Sequence, residues 1–352
     1  MLSNKIHICY LANISSVHVQ RWIKYFTEKG YQVGCLTPRG FPLKFLDIIL
    51  NIMAVKKWVR KMKPDILHAH YAGVNGVLGA LSGFHPFMIS TFGSDILIAG
   101  KSRLRRPLIK FGLDKADLVT CNADHMREAI INLGVESSKV KVVRFGLNVE
   151  KFSLAVRDEE LIKTLRVENS PVVISVRNLR SVYNVETLVR AVPLVLKTLP
   201  QSKFIIAGEG EEKEKLINLA KELGVLNNIK FVGWLSENDL LRYLKISDVY
   251  VSTSLSDGSS MSLVEAMAAG IFPIVSDIPA NREWIKNNVN GFLCPTKDHN
   301  FLAKKISEAL RDKNFRQETI KKNRILAEEK ESYQKNMQLM EKYYLQLIQS
   351  KK

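Results

Sequence analysis

Residues 257–270 read Asp-Gly-Ser-Ser-Met-Ser-Leu-Val-Glu-Ala-Met-Ala-Ala-Gly, a polar loop running into a small-residue helix with a single acid inside it. The run before it, DVYVSTS, has the apolar alternation of a strand, so the loop leaves a strand's carboxyl end. Amides that open a helix have no partner within it. Those of Ser259, Ser260, Met261 and Ser262 can therefore receive an anion such as phosphate. Gly258 permits the turn and a close approach of ligand to backbone. Glu265 falls roughly one helical turn further in, where a carboxylate can accept two hydrogen bonds from a ribose diol. The chemistry this spacing suits is the grip of a nucleotide diphosphate. A capping loop before an ordinary amphipathic helix would use the same residues, and both readings stay open at this level.

Other candidates are weaker. Gly208-Glu-Gly has a G-x-G pattern but lies after the second strand of its half and lacks the third glycine of a dinucleotide fingerprint. Trp234, in FVGWL, either flanks a base or is a core aromatic. His18 and His70 stand near predicted element ends, and each is a candidate for substrate contact or a structural histidine. The four cysteines are far apart, and no Asp-x-Asp pair or metal-ligand spacing is present, so no metal is expected.

These residues need a scaffold, and the chain's periodicity supplies one. KIHICYLA, YQVGCLTP, PDILHAHY, FMISTFG, ADLVTCNA and KVKVVRFG read as strands with helices between them. The stretch GLNVEKFSLAVRDEE has no clear period and marks a domain boundary near residue 150. The pattern restarts with PVVISVRNL, SKFIIAGEG, NIKFVGWL, DVYVSTS and IFPIVSD. Strands alternating with helices predict parallel sheets with crossover connections, whose ligands gather at the carboxyl ends of the strands. The expectation is two α/β domains, residues 1–150 and 151–329, with a cleft between them. A terminal helix near 330–352 is expected to pack back on the first.

From Asp248 to Gly291 the order of motifs resembles the retaining glycosyltransferases of family 4. The acid Asp257, then Glu265 after seven intervening residues, then EAMAAG, FPIVSD, IPANRE and NGFL follow in that family's order, with FIIAGEG, FVGWL and ISDVYVSTS upstream. The resemblance covers nearly the whole chain, dense in the second half and looser in the first. It implies a GT-B fold, two Rossmann-like domains facing each other across a cleft. The first would bind the acceptor and the second a nucleotide-diphosphate sugar.

Carried over residue by residue, the resemblance places Glu265 on the ribose and Asp257 near the sugar hydroxyls. Gly258 to Ser262 fall on sugar and diphosphate, and Gly208 borders the nucleotide. Arg177 takes the position of a phosphate-binding arginine. The lysine expected six residues later is Tyr183, and Arg180 between them is the substitute cation, with bidentate reach to phosphate. Asp257 replaces the usual glutamate and is one methylene shorter. In TFGSD, Phe92 stands where the family has histidine, and Asp95 is retained near the acceptor side. Retention in this family is ascribed to a front-face route in which the leaving phosphate takes the acceptor's proton.

The net charge is +17, with 21 Lys and Arg against 10 Asp and Glu in residues 1–150, and 31 against 25 in the remainder. Lacking any nucleic-acid-reading signature, this excess suits an anionic membrane surface or a phosphate-bearing substrate rather than nucleic acid. PLKFLDIILNIMAVKKWVRKMKP and KSRLRRPLIK are the basic segments that would lie on such a membrane. The N-terminal KIHICYLAN is too short and polar for a signal peptide, and unpaired cysteines suit the cytoplasm. The expected protein is a cytoplasmic, metal-independent hexosyltransferase at the inner face of the cell membrane, with no cofactor besides its donor. It would move sugar from a UDP-sugar, ahead of a GDP-sugar, to a glycan or lipid-linked acceptor of polysaccharide or glycolipid synthesis. A nucleotide-sugar 2-epimerase and a non-catalytic membrane-associated subunit are the alternatives.

Overall fold

The computed structural model describes residues 6–38 and 45–351, with side chains omitted from Phe45 to Ile48. Lys5 of the first expected strand and residues 42–44 of the first basic segment lie outside the described residues. The chain divides into two compact units, one running to Gly146 and taking in Tyr333 onward, the other Leu147–Ser332.

The first unit holds a parallel sheet of β1 (His7–Leu11), β2 (Gln32–Leu36), β3 (Ile66–His70), β4 (Phe87–Thr91), β5 (Leu118–Cys121) and β6 (Val140–Val142). Its order is β2-β1-β3-β4-β5-β6. Crossovers are α1 (Val17–Glu28), α2 (Phe45–Met62), α3 (Val74–Ser82), α4 (Arg106–Lys115) and α5 (Asp124–Asn132). Both faces of the sheet are covered, which is why β3, β4 and β5 are buried along their whole length and even their polar residues, such as His68, Ser90 and Thr120, lie inside. Cys9 and Leu11 enter the core with Val55 and Leu113, while Ile8 and Tyr10 enter that of the opposite face with Trp22 and Phe26.

The last helix of the chain, Tyr333–Gln349, belongs to this unit and buries Met337, Met340 and Tyr344, three residues of one helical stripe. The Tyr344 hydroxyl meets Tyr10 Oη at 3.2 Å and His68 Nδ1 at 2.6 Å. His68 Nε2 reaches Ser90 Oγ at 2.8 Å, and Ser90 reaches Thr120 at 2.6 Å. Tyr344 thus joins Tyr10 of β1 to a buried polar chain through His68, Ser90 and Thr120 of β3, β4 and β5. Tyr344→Phe leaves His68 Nδ1 in an apolar layer without this partner and is expected to cost about 1–3 kcal/mol. Urea unfolding of the two proteins, at unchanged m-value, checks it.

The second unit has the sheet β12-β11-β10-β7-β8-β9, all parallel. Its strands are β7 (Val172–Val176), β8 (Lys203–Ala207), β9 (Ile229–Gly233), β10 (Val249–Ser252), β11 (Phe272–Ser276) and β12 (Phe292–Cys294). The sixth, β12, went unseen in the periodicity because it is three residues long between Gly291 and Pro295. The stretch read as aperiodic holds two short helices, α6 (Val149–Leu154) and α7 (Glu159–Leu165). Each is capped by a side chain, Asn148 accepting from Lys151 N and Asp158 from Leu161 N.

Beyond β7 come α8 (Val185–Leu196), α9 (Lys213–Glu222), α10 (Glu237–Lys245), α11 (Met261–Ala269), the one-turn α12 (Pro279–Arg282), α13 (His299–Arg311) and α14 (Lys313–Glu331). Helix α11 is nearly enclosed, with Leu263, Val264 and Ala266–Ala269 buried, and it packs on α14 and α6. It ends on Gly270 at φ +83°, where a Cβ would lie 2.3 Å from Arg324 Nη2. Glycine takes the left-handed cap without strain, and any side chain there would have to displace the Arg324 guanidinium.

Candidate functional site

Strands β7 and β10 are neighbours, so their carboxyl ends bring Arg177 and the loop 253–260 together although 80 positions separate Arg177 from Asp257. Arg177 Nη2 donates to Asp257 Oδ2 at 2.6 Å and Nη1 to Ser262 Oγ at 3.0 Å. The Ser262 hydroxyl in turn meets Tyr250 Oη at 2.7 Å. The Tyr183 ring lies 4.2 Å from the guanidinium carbon, a cation–π platform. Burial pulls the guanidinium toward its neutral form. The Asp257 carboxylate beside it, with Tyr250 and Tyr183, more than offsets this, and the pKa stands above that of an ordinary arginine.

Three polar atoms of this cluster are buried and have no partner: Arg177 Nε, Ser259 Oγ and Ser260 Oγ. Buried polar atoms are nearly always paired in native proteins, so an orphaned group of donors at a helix head is a place for a ligand. The first amides of α11 begin at the same point, after Ser260, which caps the helix without a side-chain bond. The unpartnered hydroxyls thus lie at the helix start where the sequence reading expects an anion. Glu265 is half-buried, one turn along α11.

Gly208 serves this cluster from behind. Its φ is +136°, and a Cβ there would stand 2.1 Å from the Arg177 carbonyl oxygen. The glycine thus permits β7 and the loop after β8 to close up behind Arg177. Trp234 is 70% exposed, which removes the core reading and leaves the ring as a surface group after β9.

Arg180, the substitute cation of the sequence reading, does not join Arg177. Its side chain is mostly exposed, with Nε 3.9 Å from Glu211. The Leu179 amide donates to the Glu209 carbonyl at 2.9 Å, and this tie turns the loop away before Arg180. Arg180 instead lines a cavity of about 420 Å³ with Ser181, Asn184, Glu186, Lys215 and Lys297. Tyr183, at the position of the missing lysine, is the residue that sequence reasoning undervalued. It holds Arg177 from below instead of adding charge.

In the first unit, Asp95 is a clamp. Its carboxylate accepts from the amides of Ala72 (2.9 Å), Gly93 (3.0 Å) and Phe92 (3.2 Å), so it is spent on its own loop instead of being presented to an acceptor. Burial raises its pKa, against the lowering effect of those amides. His18 stacks on Phe145 with ring centroids 4.4 Å apart, and Phe92 lies 5.2 Å from His70. His70 is fully buried against Trp22, and neither of its ring nitrogens has a partner. Burial, helped by Arg21, lowers the His18 pKa to about 4; burial, helped by His18, lowers that of His70 to about 3.

Both rings are neutral in the folded protein, whereas the unfolded chain takes up protons near pH 6.5. Their contribution to stability is therefore complete above pH 6.5 and lost as pH falls toward 4 and then 3. Between those limits each adds a slope of about 1.4 kcal/mol per pH unit. Urea midpoints between pH 7 and 4.5 should fall less steeply in His70→Phe than in the parent, and equal slopes would refute the assignment.

Among the described residues, no group of three or more His, Cys, Asp or Glu is arranged to hold a metal ion, and no helix is long and apolar enough to cross a membrane.

Two units, each a parallel six-stranded sheet flanked by helices, have the architecture of the GT-B class. Residues 156–325 match the family described as glycosyl transferases group 1, and residues 7–123 match glycosyl transferase 4-like. The UDP-Gal:α-D-GlcNAc-diphosphoundecaprenol α-1,3-galactosyltransferase of Escherichia coli is 27% identical over 260 residues, 70% of this chain and 67% of its own. The N-acetyl-α-D-glucosaminyl L-malate synthase of Bacillus anthracis is 24% identical, with 83% of each chain covered. Among solved structures, Anabaena HepE in complex with UDP and glucose superposes with a TM-score of 0.82 at 19% identity, covering 97% of this chain and all of that one. Sucrose-phosphate synthase of Thermosynechococcus elongatus gives 0.84 at 17% identity, over 98% of this chain and 100% of that one. Fold and matches together make this chain a GT-B glycosyltransferase of the group 1/4 kind.

Proposed function

We propose that the chain is a retaining, metal-independent hexosyltransferase that takes its sugar from UDP-sugar and delivers it to a lipid-linked or glycan acceptor at the inner face of the cell membrane. The product would enter cell-surface polysaccharide or glycolipid. The observation that carries this reading is the Arg177–Asp257–Ser262 network at the head of α11, with its orphaned Arg177 Nε and Ser259 and Ser260 hydroxyls. UDP is favoured because HepE, of the same fold, is described with UDP and glucose. A lipid-linked acceptor is favoured because the Escherichia coli relative is named for a diphosphoundecaprenol acceptor.

In this reading Glu265 accepts from the ribose diol and the α11 amides receive the diphosphate. Arg177, kept charged by Asp257, meets the oxygen on which negative charge grows. As the bond from the anomeric carbon to that oxygen breaks, the acceptor oxygen bonds to the same face of the carbon. Its proton passes to the departing phosphate oxygen. Fixed cation and amides supply the stabilisation that a metal ion gives elsewhere, and none of these groups reorganises during the step. Asp257 holds Arg177 and stands near the sugar hydroxyls. The acceptor contacts are assigned to the first unit, with His18 as a partly exposed neutral ring, while fully buried His70 supports Phe92 from within.

The test is transfer of radiolabelled sugar from UDP-glucose, UDP-galactose and UDP-N-acetylglucosamine into a membrane lipid extract, with and without EDTA. Lipid-bound label in an α linkage, unaffected by EDTA, supports the proposal. Conversion of the donor to its 2-epimer, or UDP binding without turnover on any extract, overturns it in favour of an epimerase or a non-catalytic subunit.

A further inference from the structure

Nine large apolar side chains of the first unit are exposed among the described residues: Ile14, Val17, Ile49, Leu50, Met53, Tyr71, Ile98, Leu104 and Leu108. Their places in the sequence are not scattered. Ile14, Val17 and Tyr71 follow β1 and β3; Ile98, Leu104 and Leu108 follow β4; Ile49, Leu50 and Met53 are in the first half of α2. All these segments leave the carboxyl edge of the sheet, so one edge of the unit carries its exposed apolar residues. Monomeric soluble proteins seldom gather such residues without a partner.

Two of these groups are also basic. From Ile96 to Leu113 the chain has five Lys or Arg and no acid. Every residue from Arg103 to Leu108 is exposed, and Leu104 is 88% exposed between Arg103 and Arg105. Lys56 and Lys57 follow Met53 on α2 and are exposed as well. Helices α2 and α4 both pack on α3, which places the two groups on one side of the sheet. An apolar tip ringed by long cationic side chains suits a bilayer, where leucine enters the acyl boundary and arginine stays at the phosphates.

We infer that segment 98–108, with Ile49, Leu50 and Met53 of α2, is a docking surface for an anionic phospholipid bilayer. Charge complementarity selects this occupant: Lys110 is already paired with Asp114, but a zwitterionic surface would leave Lys101, Arg103, Arg105 and Arg106 without an anionic surface to meet. The inference deepens the proposed function by naming the surface that would meet a lipid-linked acceptor, and rests on that reading only for its purpose.

Co-sedimentation of the full chain with sucrose-loaded vesicles tests it. Binding is expected to phosphatidylcholine vesicles carrying phosphatidylglycerol and to be much weaker to phosphatidylcholine alone. The pair Ile98→Glu, Leu104→Glu should lower the partition coefficient by about tenfold or more. The triple Arg103→Glu, Arg105→Glu, Arg106→Glu should lower it by about a hundredfold. These side chains are exposed, so thermal unfolding and UDP titration should match the parent. Absence of binding to the anionic vesicles, equal binding to both lipids, or unchanged binding in either variant overturns the inference. So does a dimer that Leu104→Glu dissociates, since the face would then join two copies. UDP titration of the parent keeps the two claims apart: failure there sinks the donor assignment and leaves the vesicle result standing.

Discussion

Arg177→Ala is expected to lower kcat/KM for sugar transfer by about 10²–10³-fold, the loss typical of removing one fixed donor from a developing oxyanion. The effect should fall mainly on kcat, because the guanidinium acts on charge that grows as the bond breaks. Arg177→Lys keeps a cation but loses the fork that spans Asp257 and Ser262 and the stacking on Tyr183. It should recover part of the rate, not all. Because the alanine change also removes the cation beside Asp257, which is only 14% exposed, some loss of stability accompanies it. The lysine variant and a melting curve separate that loss from catalysis. A rate loss under tenfold in Arg177→Ala would remove this residue from the chemistry.

The second large effect concerns binding. Two hydrogen bonds from a ribose diol to the Glu265 carboxylate are charge-assisted, each worth about 1.5–3 kcal/mol. Glu265→Ala should weaken UDP by about 10²-fold or more, read by calorimetric titration. Glu265 is half-buried on a helix otherwise held by Leu263, Val264 and Ala266–Ala269, so the variant should fold. Glu265→Gln, which retains shape and one acceptor oxygen, should lie between. An unchanged affinity in Glu265→Ala would displace the nucleotide from α11.

Much of the scaffold was legible because a parallel sheet buried on both faces writes its strands as short apolar runs between helices. All six strands of the first unit were readable in this way. In the second, β12 escaped because three residues carry no period, and α6 and α7 escaped because six or seven residues hold too few turns for a stripe. The helix head at Ser260 was readable from local order alone, strand then glycine loop then small-residue helix. Pairings across the sheet were not. The contact of Arg177 with Asp257 depends on β7 lying next to β10, an adjacency that no local pattern encodes. The place of Arg180, facing Glu211 and the neighbouring cavity, depends on the tie of Leu179 to Glu209, which its nearness in sequence to Arg177 does not reveal. Asp95 misled because a carboxylate beside a glycine turn serves its own amides as readily as a ligand. The role of Tyr183 emerged only with its ring beneath the guanidinium.

The central claim is that the donor's diphosphate lies between Arg177 and the head of α11. The most direct measurement is a crystal structure of the protein soaked with UDP. The account predicts phosphate oxygens within hydrogen-bond distance of Arg177 and of the Ser259 and Ser260 hydroxyls or adjoining amides, and the ribose diol on Glu265. UDP seated instead in the 420 Å³ cavity beside Arg180 and Lys297, with the α11 head empty, would contradict it.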